Sequence, residues 1–158
     1  MSQSAREILT WEQYGVAARE LARHVADSGY RPDLVLSVAR GGLGLGMSLG
    51  YALGVKNVQV VNVEFYTGVD ERLAEPVLLA PTPSPEDLRG ARVLVADDVA
   101  DTGHTLRVIE ELCAPLVAES RTAVVFEKPA TVVRADYVWR RTGAWIEFPW
   151  SSEPPVVV

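Results

Sequence analysis

Between residues 93 and 106 the chain reads VLVADDVADTGHTL. A short apolar run, too short for a helix, leads directly into two adjacent carboxylates. A turn of Asp, Thr and Gly follows, and then a stretch whose apolar residues recur at helical spacing. A buried strand that ends in charge and passes at once into a helix start is the joint of an α/β sheet. In such sheets the polar ends collect at the carboxyl edge. This segment alone therefore narrows the fold to buried strands joined by helices, with any chemistry at one edge.

The rest of the chain repeats the alternation. Residues 10–28 predict a helix: Thr10 and Gln13 form a capping box, Trp11, Tyr14, Ala18, Leu21 and Val25 recur at helical spacing, and Gly29 is a stop. A strand is expected over 34–38, a glycine-rich turn over 39–46, and a small-residue helix to Leu53 that ends at Gly54. A β-branched run over 58–63 predicts a second strand. Residues 66–90 carry Pro76, Pro81, Pro83 and Pro85 without a clean period, so a long mobile excursion is expected there, with a short strand at 77–79. Strands follow over 92–96, 121–126, 136–139 and 144–148, with a helix over 103–118 between the first two. These elements predict one α/β domain of 158 residues, a mostly parallel sheet flanked by helices.

Composition excludes several classes. Hydrophobic residues make up 48%, enough for a core without disulfides. Fifteen basic against 21 acidic residues give a net charge of −6, with no basic run, so no nucleic-acid partner is expected. The single cysteine, Cys113, leaves no internal disulfide or Cys-rich zinc site and fits a cytoplasmic location. The first residues lack a signal core, and no apolar run approaches the ~18 residues of a membrane span. Peripheral membrane association is left open.

Two turns carry candidate chemistry. Amides from Ala100 to Thr105 (Ala100, Asp101, Thr102, Gly103, His104, Thr105) would point into one concavity backed by a helix dipole, the makings of a phosphate site. A plain strand–turn–helix capped by Asp101 or Thr102 is the alternative. Asp97 and Asp98 tip the balance, because acids beside a phosphate cradle must hold sugar hydroxyls or a divalent cation. The second turn is Ala39-Arg40-Gly41-Gly42. Glu64 ends the next strand where a ribose-binding acid of a dinucleotide site would lie, but no G-x-G-x-x-G fits GGLGLGMSLG.

Residues 93–106 resemble the phosphoribosyl-pyrophosphate signature of type I phosphoribosyltransferases: an apolar strand, an acidic pair, two small or apolar residues, then Asp-Thr-Gly-x-Thr. The resemblance implies that Asp97 and Asp98 hold the ribose diol and Mg²⁺, with Asp98 meeting the metal directly or through water. It implies that residues 100–105 cradle the 5′-phosphate and that Asp101 is the catalytic acid/base beside the purine ring. Arg40, Gly41 and Gly42 match the family's pyrophosphate loop, which implies a cis bond at Ala39–Arg40. Lys128-Pro129 and Trp145-Ile146-Glu147-x-Pro149-Trp150 resemble the short bacterial xanthine–guanine enzymes of this family. There the Lys donates to the purine 6-oxo group, the Trp ring stacks on the base, and the next backbone group, here that of Ile146, hydrogen-bonds it.

The resemblance also implies a lid loop over about 65–90, with Tyr66 over the pyrophosphate, and a base-binding hood over about 128–158. Two residues depart from the pattern. Ser151 stands where relatives carry Asp, and Phe65 where the lid usually begins with Ser. Purine salvage from phosphoribosyl pyrophosphate and a 6-oxopurine is the implied activity, by a homodimer or homotetramer. Transfer to another nucleobase, or a non-catalytic nucleotide sensor on the same fold, are the rival readings. His24 and Lys56 read as surface residues, Trp11 and Tyr14 as packing, and Cys113 as a core or interface thiol.

Overall fold

The computed structural model describes residues 5–66 and 75–157. Its centre is a six-stranded sheet built from β2 (Leu34–Ala39), β3 (Val58–Tyr66), β4 (Glu75–Leu79), β5 (Arg92–Ala100), β6 (Glu119–Glu127) and β7 (Tyr137–Arg141). The strand order is β4-β3-β2-β5-β6-β7, parallel throughout except for β4, which runs antiparallel to β3. From β2 the chain winds outward to β3, then returns to place β5 on the other side of β2. The carboxyl ends of β2 and β5 thus flank the point where the winding reverses, which is where open α/β sheets bind ligands.

Alternation along the central strands feeds two cores. Val35, Leu94, Ala96, Ala123 and Val125 face α1 (Trp11–Asp27) and α2 (Leu43–Leu53). Leu36, Val38, Val93, Val95 and Val124 face α4 (His104–Cys113) through Leu106, Ile109 and Cys113. The capping box at Thr10 and Gln13 forms, and the left-handed Gly54 closes α2.

The structure adjusts several sequence-based boundaries. The glycine-rich turn ends at Gly42, not at 46, because Gly44, Gly46 and Gly50 lie within α2. A Cβ on Gly46 would stand 1.6 Å from Ser37 Oγ, so that glycine serves close helix–strand packing rather than a turn. β5 continues through Asp97 and Asp98 to Ala100, because β6 runs beside it as far as Glu127. α4 stops at Cys113, two residues before Pro115, whose missing N–H and bulk disfavour a continuing helix. Within the expected excursion, β4 pairs with β3 and a short helix α3 (Pro85–Leu88) starts at the Ser84 cap. Residues 67–74 lie outside the described ones.

One pairing has no precedent in the sequence pattern. β1 (Arg6–Ile8) lies parallel to β8 (Trp145–Glu147) as a separate two-stranded sheet. The start of the chain thereby holds the last strand, with Trp145 N–H donating to the Ala5 carbonyl at 3.0 Å and Leu9 N–H to Glu147 at 2.9 Å.

Candidate active site

The end of β5, the turn after it and the start of α4 form a cleft of about 500 Å³. Its lining is Phe65 together with the continuous run from Asp97 to Leu106. Asp97, Asp98, Ala100, Asp101, Thr102, Gly103, His104 and Thr105 therefore share one cavity. Arg40, Gly41, Gly42, Lys128, Trp145 and Ile146 lie outside that lining.

The acidic pair sits at the inner wall. Asp97 is 7% exposed, and its Oδ1 accepts the Asp98 N–H at 2.8 Å. Asp98 Oδ1 accepts the Val99 N–H, also at 2.8 Å. Burial pushes the Asp97 carboxyl well above its ordinary value, and the charge of Asp98 adds to the push. Burial likewise pushes Asp98 up, against the hydrogen bonds that its carboxyl accepts. Two desolvated carboxylates side by side are a donor set that a divalent cation would relieve.

Among the described residues no group of three or more His, Cys, Asp or Glu gathers around one point. Mg²⁺ commonly takes one or two carboxylates and fills its remaining positions with water and substrate oxygens, so Asp97 and Asp98 are enough protein donors to fit it.

The turn between β5 and α4 is shaped by Gly103, at φ 85°, which precedes α4 without a side-chain cap. A Cβ there would stand 2.5 Å from Thr131 Oγ1 and within 3 Å of the Val132 and Val133 amide nitrogens. His104, Thr105 and Leu106, the first residues of α4, line the cleft, and a helix start carries the positive end of the dipole. Thr102 Oγ1 accepts the His104 N–H at 3.4 Å, and Asp101, Thr102 and His104 are exposed. Ala100 is buried and its carbonyl is taken by the Lys128 N–H at 2.9 Å. It can offer the cleft only backbone.

The glycine turn after β2 abuts the acids. A Cβ on Gly41 would stand 2.0 Å from Asp98 Oδ2, and one on Gly42 would stand 2.3 Å from the Ala96 carbonyl. Close approach of backbone requires glycine at Gly42, whereas a side chain at Gly41 would have to displace the Asp98 carboxylate. The Ala39–Arg40 bond is cis, as the resemblance implies, and the Arg40 side chain is exposed. Tyr66 is the last residue of β3, and its side chain lies outside the described ones.

Lys128 leaves the end of β6 beside Ala100, and its ammonium donates to the Ala144 carbonyl, next to Trp145. Trp145 is 67% exposed, while the Ile146 side chain is packed in the core, so only the Ile146 backbone can meet a ligand. Ser151 closes a turn, its N–H donating to the Phe148 carbonyl at 3.1 Å.

Trp150 stacks on Phe148 with ring centroids 4.9 Å apart and meets Tyr14 edge-on at 5.4 Å. Tyr14 packs in the core as expected, whereas Trp11, 6.0 Å from the Trp150 ring, is 62% exposed and covers it only from the surface. His24 and Lys56 are on the surface. Cys113 is fully buried, and burial pushes its thiol up to about 11, which leaves it inert at neutral pH.

Two residues here escape sequence reasoning. Phe65 lines the cleft from the end of β3, where the sequence showed only a missing hydroxyl. Glu127 is a buried carboxylate joined to Arg134 and Arg141, and those partners are invisible in a linear pattern.

The family model described as "Phosphoribosyl transferase domain" matches residues 4–155. The chain is 30% identical over 152 residues to a xanthine-guanine phosphoribosyltransferase of Nitratidesulfovibrio vulgaris, covering 95% of this chain and 87% of that protein. It is also 30% identical over 146 residues to the Gluconobacter oxydans protein of the same name, covering 92% and 84%. Among solved structures, a purine phosphoribosyltransferase from Pyrococcus horikoshii superposes with a TM-score of 0.85 at 40% identity, covering 97% of this chain and 98% of that one. A match of this length, on a sheet whose switch point holds the acidic pair and the turn from Asp101 to Thr105, makes the chain a member of the phosphoribosyltransferase family of enzymes.

Proposed function

We propose that this enzyme transfers the 5-phosphoribosyl group of phosphoribosyl pyrophosphate to a 6-oxopurine: xanthine, guanine or hypoxanthine. The products are the nucleoside monophosphate and pyrophosphate, a purine-salvage reaction. The observation that carries this reading is the single cleft in which a buried acidic pair faces a helix-start phosphate turn, with Gly41 pressed against Asp98 and Lys128 hydrogen-bonded to Ala100.

Each residue group then has one task. Backbone groups of residues 100–105 and the Thr102 and Thr105 hydroxyls bind the 5′-phosphate. Asp97 and Asp98 hold the ribose hydroxyls, and Asp98 would also hold Mg²⁺, directly or through water. A divalent ion bound there would offset charge on the departing pyrophosphate. Arg40 and the amides of Gly41 and Gly42 receive that leaving group.

The bond from ribose C1 to the pyrophosphate oxygen breaks and a bond from C1 to the purine nitrogen forms. Asp101, exposed at the mouth of the cleft, takes the proton that the purine nitrogen gives up. Tyr66 and the segment of about 65–90 cover the pyrophosphate and exclude water, which would otherwise consume the activated sugar. Lys128 exchanges its contact with the Ala144 carbonyl for the purine 6-oxo group. Trp145 stacks on the base, and the Ile146 backbone hydrogen-bonds its edge, which makes residues 128–158 the base-binding hood.

We further propose a homodimer or homotetramer in the cytoplasm. Leu43, Met47 and Tyr51 support the assembly: they lie exposed at four-residue spacing along α2, beside an apolar groove lined by Val55 and Val58. The free, buried Cys113 suits a reducing compartment. No helix among the described residues is long and apolar enough to cross a membrane.

The test is product formation from xanthine, guanine, hypoxanthine, adenine and a pyrimidine, each with phosphoribosyl pyrophosphate and Mg²⁺. Nucleoside monophosphate should appear from at least one 6-oxopurine. Turnover confined to adenine or to the pyrimidine would assign a different base. Tight nucleotide binding without turnover would make the protein a sensor.

A further inference from the structure

Glu127 ends β6 one residue before Lys128, and its side chain is fully buried, at 0% exposure. Oε1 accepts from Arg134 Nη1 at 3.1 Å and from Arg141 Nε at 3.0 Å, and Oε2 accepts from the Ala135 N–H at 2.9 Å. Burial pushes this carboxyl up, but the Ala135 N–H and the guanidinium groups of Arg141 and Arg134 outweigh it and hold it below its ordinary value. Both arginines reach in from solvent, with side chains 59% and 68% exposed. A buried carboxylate is a costly way to stabilise a strand end, since an apolar side chain of similar volume often serves as well.

What this carboxylate does is join three segments that meet at the base site. The first is the end of β6, where the Glu127 carbonyl also accepts the Thr142 N–H at 3.1 Å. The second is the connection after Lys128: Arg134 Nη2 donates to the Pro129 carbonyl at 3.1 Å, and the Lys128 carbonyl accepts the Thr131 N–H at 3.3 Å. The third is the end of β7, from which Arg141 leads into the turn that carries Ala144, the partner of the Lys128 ammonium. Glu127 therefore braces both the backbone from which Lys128 rises and the segment its ammonium meets.

We propose that Glu127 is a positioning residue. Through Arg134 and Arg141 it holds the Lys128 connection and the 142–145 turn in one arrangement, so that the ammonium is aimed before the base arrives. The inference rests on the reading that Lys128 contacts the base. It adds a carboxylate that acts through Lys128 and does not touch substrate.

The experiment is a double-mutant cycle of Glu127→Gln and Lys128→Met, read as KM and kcat for guanine and for phosphoribosyl pyrophosphate, with a thermal melt of each variant. Gln keeps the shape but loses the charge between the two guanidiniums, and its NH2 must face either them or the Ala135 N–H. Glu127→Gln should raise the guanine KM about five- to twentyfold and leave the phosphoribosyl-pyrophosphate KM within about twofold. In the Lys128→Met background the same change should add less than about twofold. An equal effect in both backgrounds, or a rise of both KM values in step, would reduce Glu127 to a purely structural role and overturn the inference.

Should Glu127→Gln fail to fold, Arg141→Gln and Arg134→Gln provide the same comparison from the surface. They should raise the guanine KM in the same direction and lose that effect beside Lys128→Met. A wild type that uses no 6-oxopurine, or a Lys128→Met variant that keeps full discrimination, would overturn the base-site reading and this inference with it. A normal wild type and a discriminating Lys128→Met, with an additive Glu127→Gln, would overturn the inference alone.

Discussion

Asp101 occupies the exposed turn between β5 and α4, at the mouth of the cleft and four residues beyond the buried Asp97. Its exposure sets it apart from the pair. Asp97 and Asp98 are desolvated and suited to holding cations and hydroxyls, whereas Asp101 is free to meet an arriving base. Asp101→Asn keeps the size and polarity of the side chain and removes its capacity for a proton. Turnover should fall ~10²–10⁴-fold while the affinity for phosphoribosyl pyrophosphate changes little. Single-turnover kinetics alongside calorimetry measures both. A variant within a few-fold of wild type would show that Asp101 only shapes the turn.

The joint between β5 and α4 shows what sequence could and could not reveal at the scale of an element. Its composition, an apolar run followed by acids, turn residues and a helix start, was legible because all of its determinants are local. So was the capping box that opens α1. β1 was not legible: three residues, Arg6 to Ile8, are too few to show a period, and their partner β8 lies at the far end of the chain. The end of α4 was overrun because Leu116 and Val117 continue an apolar pattern beyond a proline that stops the helix. The brace at Glu127 was hidden for the same reason as β1, since its partners come from a connection and another strand. Gly103 links local and distant determinants, with a left-handed φ set by the turn and a crowded Cβ position set by residues 131–133. Gly103→Ala should therefore cost more than the ~1–2 kcal/mol of the backbone conformation alone. The melting temperature should drop by at least ~2–4 °C in a chain of this size, and the affinity for ribose 5-phosphate should fall with it. An unchanged melt would mean that the turn relaxes freely and that its shape is not imposed by the fold.

For the whole molecule, the site weakens the fold that carries it. Asp97 is buried and Asp98 half-buried near the carboxyl end of β5, with both carboxyls pushed above their ordinary values. A carboxyl raised in the folded state favours the unfolded chain once the pH exceeds its ordinary value of 3.8, and the penalty grows until the pH passes the raised value. Asp97→Asn removes that penalty and keeps an oxygen to accept the Asp98 N–H. The ligand-free variant should melt above wild type at neutral pH, and the difference should close as the pH falls toward the ordinary carboxylate range. Stabilisation by Mg²⁺ with phosphoribosyl pyrophosphate should shrink in the same variant. A lower ligand-free melt at neutral pH would show that the pair is better compensated than its burial implies. Base choice is the sharpest test of the proposed function, in which the Lys128 ammonium would donate to a 6-oxo group and oppose the amino group of adenine. The most direct measurement is kcat/KM for guanine, xanthine, hypoxanthine and adenine in the wild type and in Lys128→Met. Wild type should favour at least one 6-oxopurine over adenine, and Lys128→Met should lower that substrate's value about ten- to a hundredfold and narrow its advantage. Equal use of adenine by wild type, or a uniform loss across all four bases in the variant, would contradict the proposed function.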